Sequence, residues 1–120
     1  MTTRRPLRAN GLVKPINRER RSRMDMKLWG PDGFVEFVHR CDCAVPGCRS
    51  WYVEAAHARS RAAGGDWTDI LPLCRDHHRE QHQAGILTFE RTHGLDMLAA
   101  AAATQRRWRE LTGDVPPEAA

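Results

Sequence analysis

Apolar positions in this chain fall into short, separated runs rather than one long amphipathic pattern. After the turn cluster Gly30-Pro31-Asp32-Gly33, Phe34, Phe37 and Val38 recur at i, i+3 and i+4. That spacing predicts a short helix over Asp32–His39 with one face on a core. Trp51-Tyr52-Val53-Glu54-Ala55-Ala56 has strand propensity and leads into His57. Ile70-Leu71-Pro72-Leu73 reads as a second short strand, which its proline assigns to a sheet edge or a strand end. The residues between, Ala58 to Thr68 with Gly64-Gly65, read as a loop. Arg75 to Gln83 is polar but helix-compatible and is closed by Gly85. So few apolar residues require something besides packing to hold it. Ile86, Leu87 and Phe89 anchor a further short element ending near Gly94. Asp96 can cap a last helix that runs through the alanines to Trp108 and Leu111, with Gly113 as its stop. Alanines bury little, so docking of this helix is expected from Met97, Leu98, Trp108 and Leu111. Trp51 and Trp67 bracket the hairpin and are assigned to the core. The sum is an α+β chain with short strands and flanking helices.

Composition sharpens that picture. With 120 residues, 41% hydrophobic and 7% aromatic, the chain supports one domain with a thin core. Small domains of this kind add a metal or a disulfide staple. No run approaches the roughly 20 apolar residues of a membrane span, and the basic N-terminus lacks the apolar stretch of a secretory signal. Membrane, collagen and coiled-coil readings are excluded. A cytoplasmic, reducing location is expected, in which four cysteines hold metal rather than form disulfides.

The net charge of +4 is unevenly distributed. Met1 to Lys27 carries nine basic and two acidic residues, hence +7, which leaves −3 for the rest. With Pro6, Pro15 and no apolar period, residues 1–27 read as a flexible basic arm ahead of a domain over 28–113 and a disordered tail over 114–120. Arg18, Arg20, Arg21 and Arg23 would attract a phosphate backbone, or simply keep the chain soluble.

Cysteine and histidine spacing carries most of the information. Cys43-x4-Cys48 precedes Cys74-x2-His77 by about 25 residues, the arrangement of a closed tetrahedral zinc site. Such a Cys3His site has no open position and is structural, and it would anchor the start of the Arg75–Gln83 helix. Cys41 is left over, or replaces Cys43 across a longer loop. His78 and His82 stand at i, i+4 on one helix face, a partial site for a divalent cation. His77, about a hundred degrees round from His78, can face the zinc. His39 and His93 sit at predicted helix ends and read as surface histidines.

The stretch Glu54-Ala55-Ala56-His57, six residues, Gly64-Gly65, then Asp69 through Cys74-Arg75-Asp76-His77-His78 to His82 resembles the HNH (ββα-metal) endonuclease superfamily. It is most similar to small phage-type members with a zinc knuckle, including the recombination-enhancement nucleases and YbcO-like proteins. The resemblance covers roughly Cys43 to Leu95. It implies a ββα-metal core acting on DNA, with recombination or packaging proteins of a phage or its host as possible partners. It puts His57 in the place of the general base and Asp69 in that of the residue that braces the loop and orients the base. His78 and His82 take the places of the ligands to a catalytic Mg2+ or Mn2+. Apart from the resemblance, Arg59 and Arg61 in the loop between the strands would either grip phosphates or be solvated charge. One departure stands out: Ala56 occupies the position of a third metal ligand. Glu54 on the same strand face, water and phosphate oxygens, or His57 itself would complete the shell. The other reading is a zinc-stabilised nucleic-acid-binding module that has lost catalysis.

Overall fold

The computed structural model describes residues 18–113. Seven regular elements follow in order: α1 (Arg18–Trp29), α2 (Phe34–His39), β1 (Val53–His57), β2 (Ile70–Cys74), α3 (Arg75–Ala84), α4 (Ile86–His93) and α5 (Met97–Thr112). Single 3-10 turns at Arg61–Ala63 and Trp67–Asp69 punctuate the β1–β2 loop. The result is a small α+β domain built on a two-stranded sheet. Residues 1–17 and 114–120, the greater part of the expected arm and the whole expected tail, lie outside the described residues. The last third of that arm differs from expectation, because Arg18 to Trp29 is helical.

β1 and β2 pair antiparallel, from Val53 opposite Cys74 to His57 opposite Ile70. Every residue of β2 is buried. Pro72 sits opposite Ala55 and turns its carbonyl outward, where it accepts from the Ala44 N–H at 2.8 Å. Its nitrogen therefore lies on the outer side of the strand, and no ladder bond is lost. The same bond pins the knuckle loop to the sheet.

Two apolar clusters flank β2. One gathers Val53, Ala56, Leu71, Leu73, Phe89, Met97 and Ala101; the other holds Phe34, Val38 and Ile70 against Trp67 and Trp108. Phe34 meets both tryptophan rings edge-on, with centroids 5.0 and 5.4 Å away. Helix α5 docks differently from expectation. Met97, Ala101, Thr104 and Gln105 are buried, while Leu98 and Leu111 are exposed. A face of small residues lets the helix approach β2 closely, and Gln105 donates to the Trp67 carbonyl. The Asp96 cap forms as expected, accepting from Ala99 N–H at 3.0 Å. Trp51 is also corrected: it is 87% exposed and outside the core, whereas Trp67 is packed.

Candidate metal centre and adjoining cleft

Cys43, Cys48, Cys74 and His77 converge, each offering a ligand atom within 4.8 Å of the others. Cys74 Sγ lies 3.2 Å from His77 Nδ1 and 3.9 Å from Cys48 Sγ, and Cys43 Sγ lies 3.6 Å from His77 Nδ1. A tetrahedron with Zn–S near 2.3 Å and Zn–N near 2.0–2.1 Å has edges of about 3.6–3.8 Å. All four cysteines are free, and 3.9 Å between Cys48 and Cys74 is far from a disulfide. The cluster can therefore hold a structural metal such as zinc. Backbone N–H groups support the sulfurs: Cys74 N–H donates to Cys43 Sγ at 3.3 Å and His77 N–H to Cys74 Sγ. Burial pushes the Cys43 thiol up to about 11, whereas the Ser50 backbone N–H draws the more exposed Cys48 thiol down. Cys41 stands apart, buried, its thiol donating to the Phe37 carbonyl and raised by desolvation. The knuckle is Cys43-x4-Cys48.

Cys74 starts α3 as its N-cap, so the cluster fixes where that helix begins and which way it faces. His77 then points to the sulfurs, and His78 and His82 point into a cleft of about 420 Å3 on the other side. The His78 and His82 Nε2 atoms approach to 3.2 Å. Two nitrogens bound about 2.1 Å from one ion at near-tetrahedral or octahedral angles stand about 3.0–3.4 Å apart. Glu54 does not point to that edge. Its Oε1 accepts from His78 Nδ1 at 2.8 Å, which fixes the tautomer and leaves His78 Nε2 with its lone pair. Gln81, between the two histidines and also lining the cleft, is buried with an Oε1 that has no partner among the described residues.

His57 lines the same cleft from the end of β1, as do Arg59 and Arg61 from the loop. Its Nε2 lies 2.8 Å from the Leu28 carbonyl, an acceptor only, so Nε2 carries the hydrogen and Nδ1 keeps the lone pair. The expected bond from Asp69 to this imidazole is absent. Asp69 instead accepts from the Asp66 N–H in the capping box of its turn and lies 3.9 Å from Arg59 Nε, while its backbone carbonyl takes the Ala58 N–H. Asp69 braces the loop but does not orient the histidine; Leu28 does. Ala56 is fully buried in the core and offers no donor to the cleft.

His93 was assigned to the surface and is instead half-buried. Its Nε2 bonds Glu80 at 2.9 Å, and its ring packs on His77 and Phe89. With His77 and Glu80 it forms the second convergence of donors among the described residues. Its position four residues after Phe89 put it on the buried face of α4, a signal the sequence did contain. Leu28 and Trp29 are cleft residues that spacing missed, because nothing in their neighbourhood resembles a motif. Arg20 and Arg23 lie on α1, whose end reaches the cleft; Arg18 and Arg21 lie on the same helix by position.

No protein-family model, curated protein or solved structure matches this chain.

Proposed function

We propose that the protein is a metal-dependent DNA endonuclease of HNH type, built on a ββα-metal core whose β1, β2 and α3 carry the site. The observation that carries this reading is the shared cleft: two histidine Nε2 atoms at ligand spacing, and a third histidine whose Nδ1 lone pair is left unbonded. His78 and His82 would hold the cation, with Glu54 keeping His78 in its ligating tautomer. A bound Mg2+ or Mn2+ would polarise the phosphodiester and stabilise charge on the departing 3′ oxygen. His57 Nδ1 takes the proton from the water that attacks phosphorus. The P–O3′ bond breaks, leaving 5′-phosphate and 3′-hydroxyl ends. Arg59 and Arg61, exposed at the rim, hold flanking phosphates, and the arginines of α1 extend that contact. Zinc at the cysteine cluster has a structural task only.

Nicking of supercoiled plasmid, compared with linear, single-stranded and branched DNA, tests the reading. Cleavage should require Mg2+ or Mn2+ and vanish in His57→Ala with zinc content unchanged. The buried Ala56 favours a second reading, a zinc-stabilised DNA-binding module without catalysis. Protein that binds DNA yet never cuts it with magnesium, manganese, nickel or zinc establishes that alternative.

A further inference from the structure

Helix α1 is attached to the cleft by its C-terminal end. Gly30 N–H closes the helix on the Met26 carbonyl, and Gly30 takes φ +83° directly against the Trp67 ring, where a Cβ would approach to 2.8 Å. The close approach seats the end of α1 on the 3-10 turn at Trp67–Asp69. Two contacts to His57 follow. The Leu28 carbonyl accepts from its Nε2 at 2.8 Å, and the Trp29 ring meets the imidazole nearly edge-on with centroids 4.8 Å apart. The Trp29 ring holds the imidazole in the orientation at which Nε2 meets the Leu28 carbonyl, and that bond fixes the tautomer, so loss of the ring loosens both. No other side chain or carbonyl among the described residues bonds this imidazole.

The same helix carries charge outward from the cleft. Arg20, Arg23 and Lys27 recur at i, i+3 and i+7 and share a face about 10 Å long. Lys27 lies towards the cleft: the carboxyl of Asp66, held low mainly by the Thr68 hydroxyl, is drawn down further by the Lys27 charge.

We propose that α1 is part of the catalytic apparatus rather than a tether: Leu28 and Trp29 are positioning residues for His57, and the basic face of α1 grips the phosphate backbone in fixed register with that histidine. This rests on the nuclease reading for the role of His57, but the positioning itself is visible without activity. The test is nitrogen-15 NMR of the histidine rings in the full-length zinc protein, together with steady-state cleavage. Wild-type His57 should show one tautomer, with the hydrogen on Nε2. Trp29 is 40% exposed, so Trp29→Ala should fold and keep its zinc. It should mix the tautomers and lower kcat roughly ten- to a hundredfold with KM within about twofold. Trp29→Phe should restore most of both. Arg23→Glu with Lys27→Glu should raise KM several-fold and leave the His57 tautomer alone. An unchanged tautomer and kcat in Trp29→Ala overturns the positioning role. An unchanged KM in the double charge reversal overturns the phosphate grip. If the wild type never cuts, a tautomer shift in Trp29→Ala still supports the positioning, and the nuclease reading alone fails.

Discussion

Replacing Cys48 by alanine separates a metal centre from a chance meeting of thiols, because the two cases differ widely in free energy. Cys48 is only partly buried, packed at the edge of the larger apolar cluster beside the other three donors. Without metal, trimming one sulfur from such a site costs about 1 kcal/mol or less. With metal, the change removes one of four ligands from a centre of a kind worth about 10–16 kcal/mol in small zinc domains. The total stability of a domain this size is about 5–15 kcal/mol, so even a partial loss is decisive. At about 4–8 °C per kcal/mol, the metal case lowers the melting temperature by tens of degrees or abolishes the transition, and the metal-free case by a few degrees. Elemental analysis and circular dichroism melts, each with and without chelator, read the difference. The expected results are one zinc per chain in the wild type, none in Cys48→Ala, and collapse of the wild-type melt on chelation. Cys41→Ala is the control: that thiol lies outside the cluster, so zinc content should stay at one. Wild-type protein purified without zinc, with a melt indifferent to chelator and to Cys48→Ala, refutes the metal centre.

Zinc affinity should rise with pH. Burial makes the metal-free fold favour the protonated Cys43 thiol, a stabilisation present below the ordinary value of 9.0 and lost as pH climbs towards about 11. Zinc reverses that preference by displacing the proton, so competition with a chromogenic chelator at pH 6, 7 and 8 should show at least roughly tenfold tighter binding per unit; a flat profile contradicts proton release. Gly65→Ala should destabilise by more than about 2 kcal/mol in denaturant titrations, because its Cβ would stand 2.2 Å from the Arg59 carbonyl, a backbone atom that cannot give way cheaply. Trp51→Ala should change stability by about 0.5 kcal/mol or less, whereas Trp67→Ala should cost about 3 kcal/mol. Equal costs for the two tryptophans would contradict the packing described.

The parts legible in the sequence were those encoded over short distances. Cys74 and His77 are three residues apart and His78 and His82 four, so helical geometry alone determines which pairs share a side, and the hairpin announces itself by two apolar runs around Gly64-Gly65. Elements whose placement depends on distant partners were not legible. The alanines of α5 gave no apolar stripe, yet Ala101 is buried because Met97 and Thr104 bring the helix close to β2. Helix α1 has almost no apolar period and docks by one end, through a backbone carbonyl that no side-chain pattern can reveal. Trp51 looked like core by residue type, and only the path of the chain ahead of Val53 leaves it in solvent.

Cys74 holds three positions at once: the last residue of β2, the cap of α3, and a member of the donor cluster. Because α3 takes its starting point and direction from that residue, a metal held by the cluster would come before the cleft formed by His78, Gln81 and His82 in the order of assembly. With zinc as that metal, a newly made chain would acquire the cleft only after the ion had reached the cysteines. In a cell, the amount of competent protein would then follow the supply of exchangeable zinc rather than the rate of synthesis, and scarcity of the metal would silence the protein without any change in its expression.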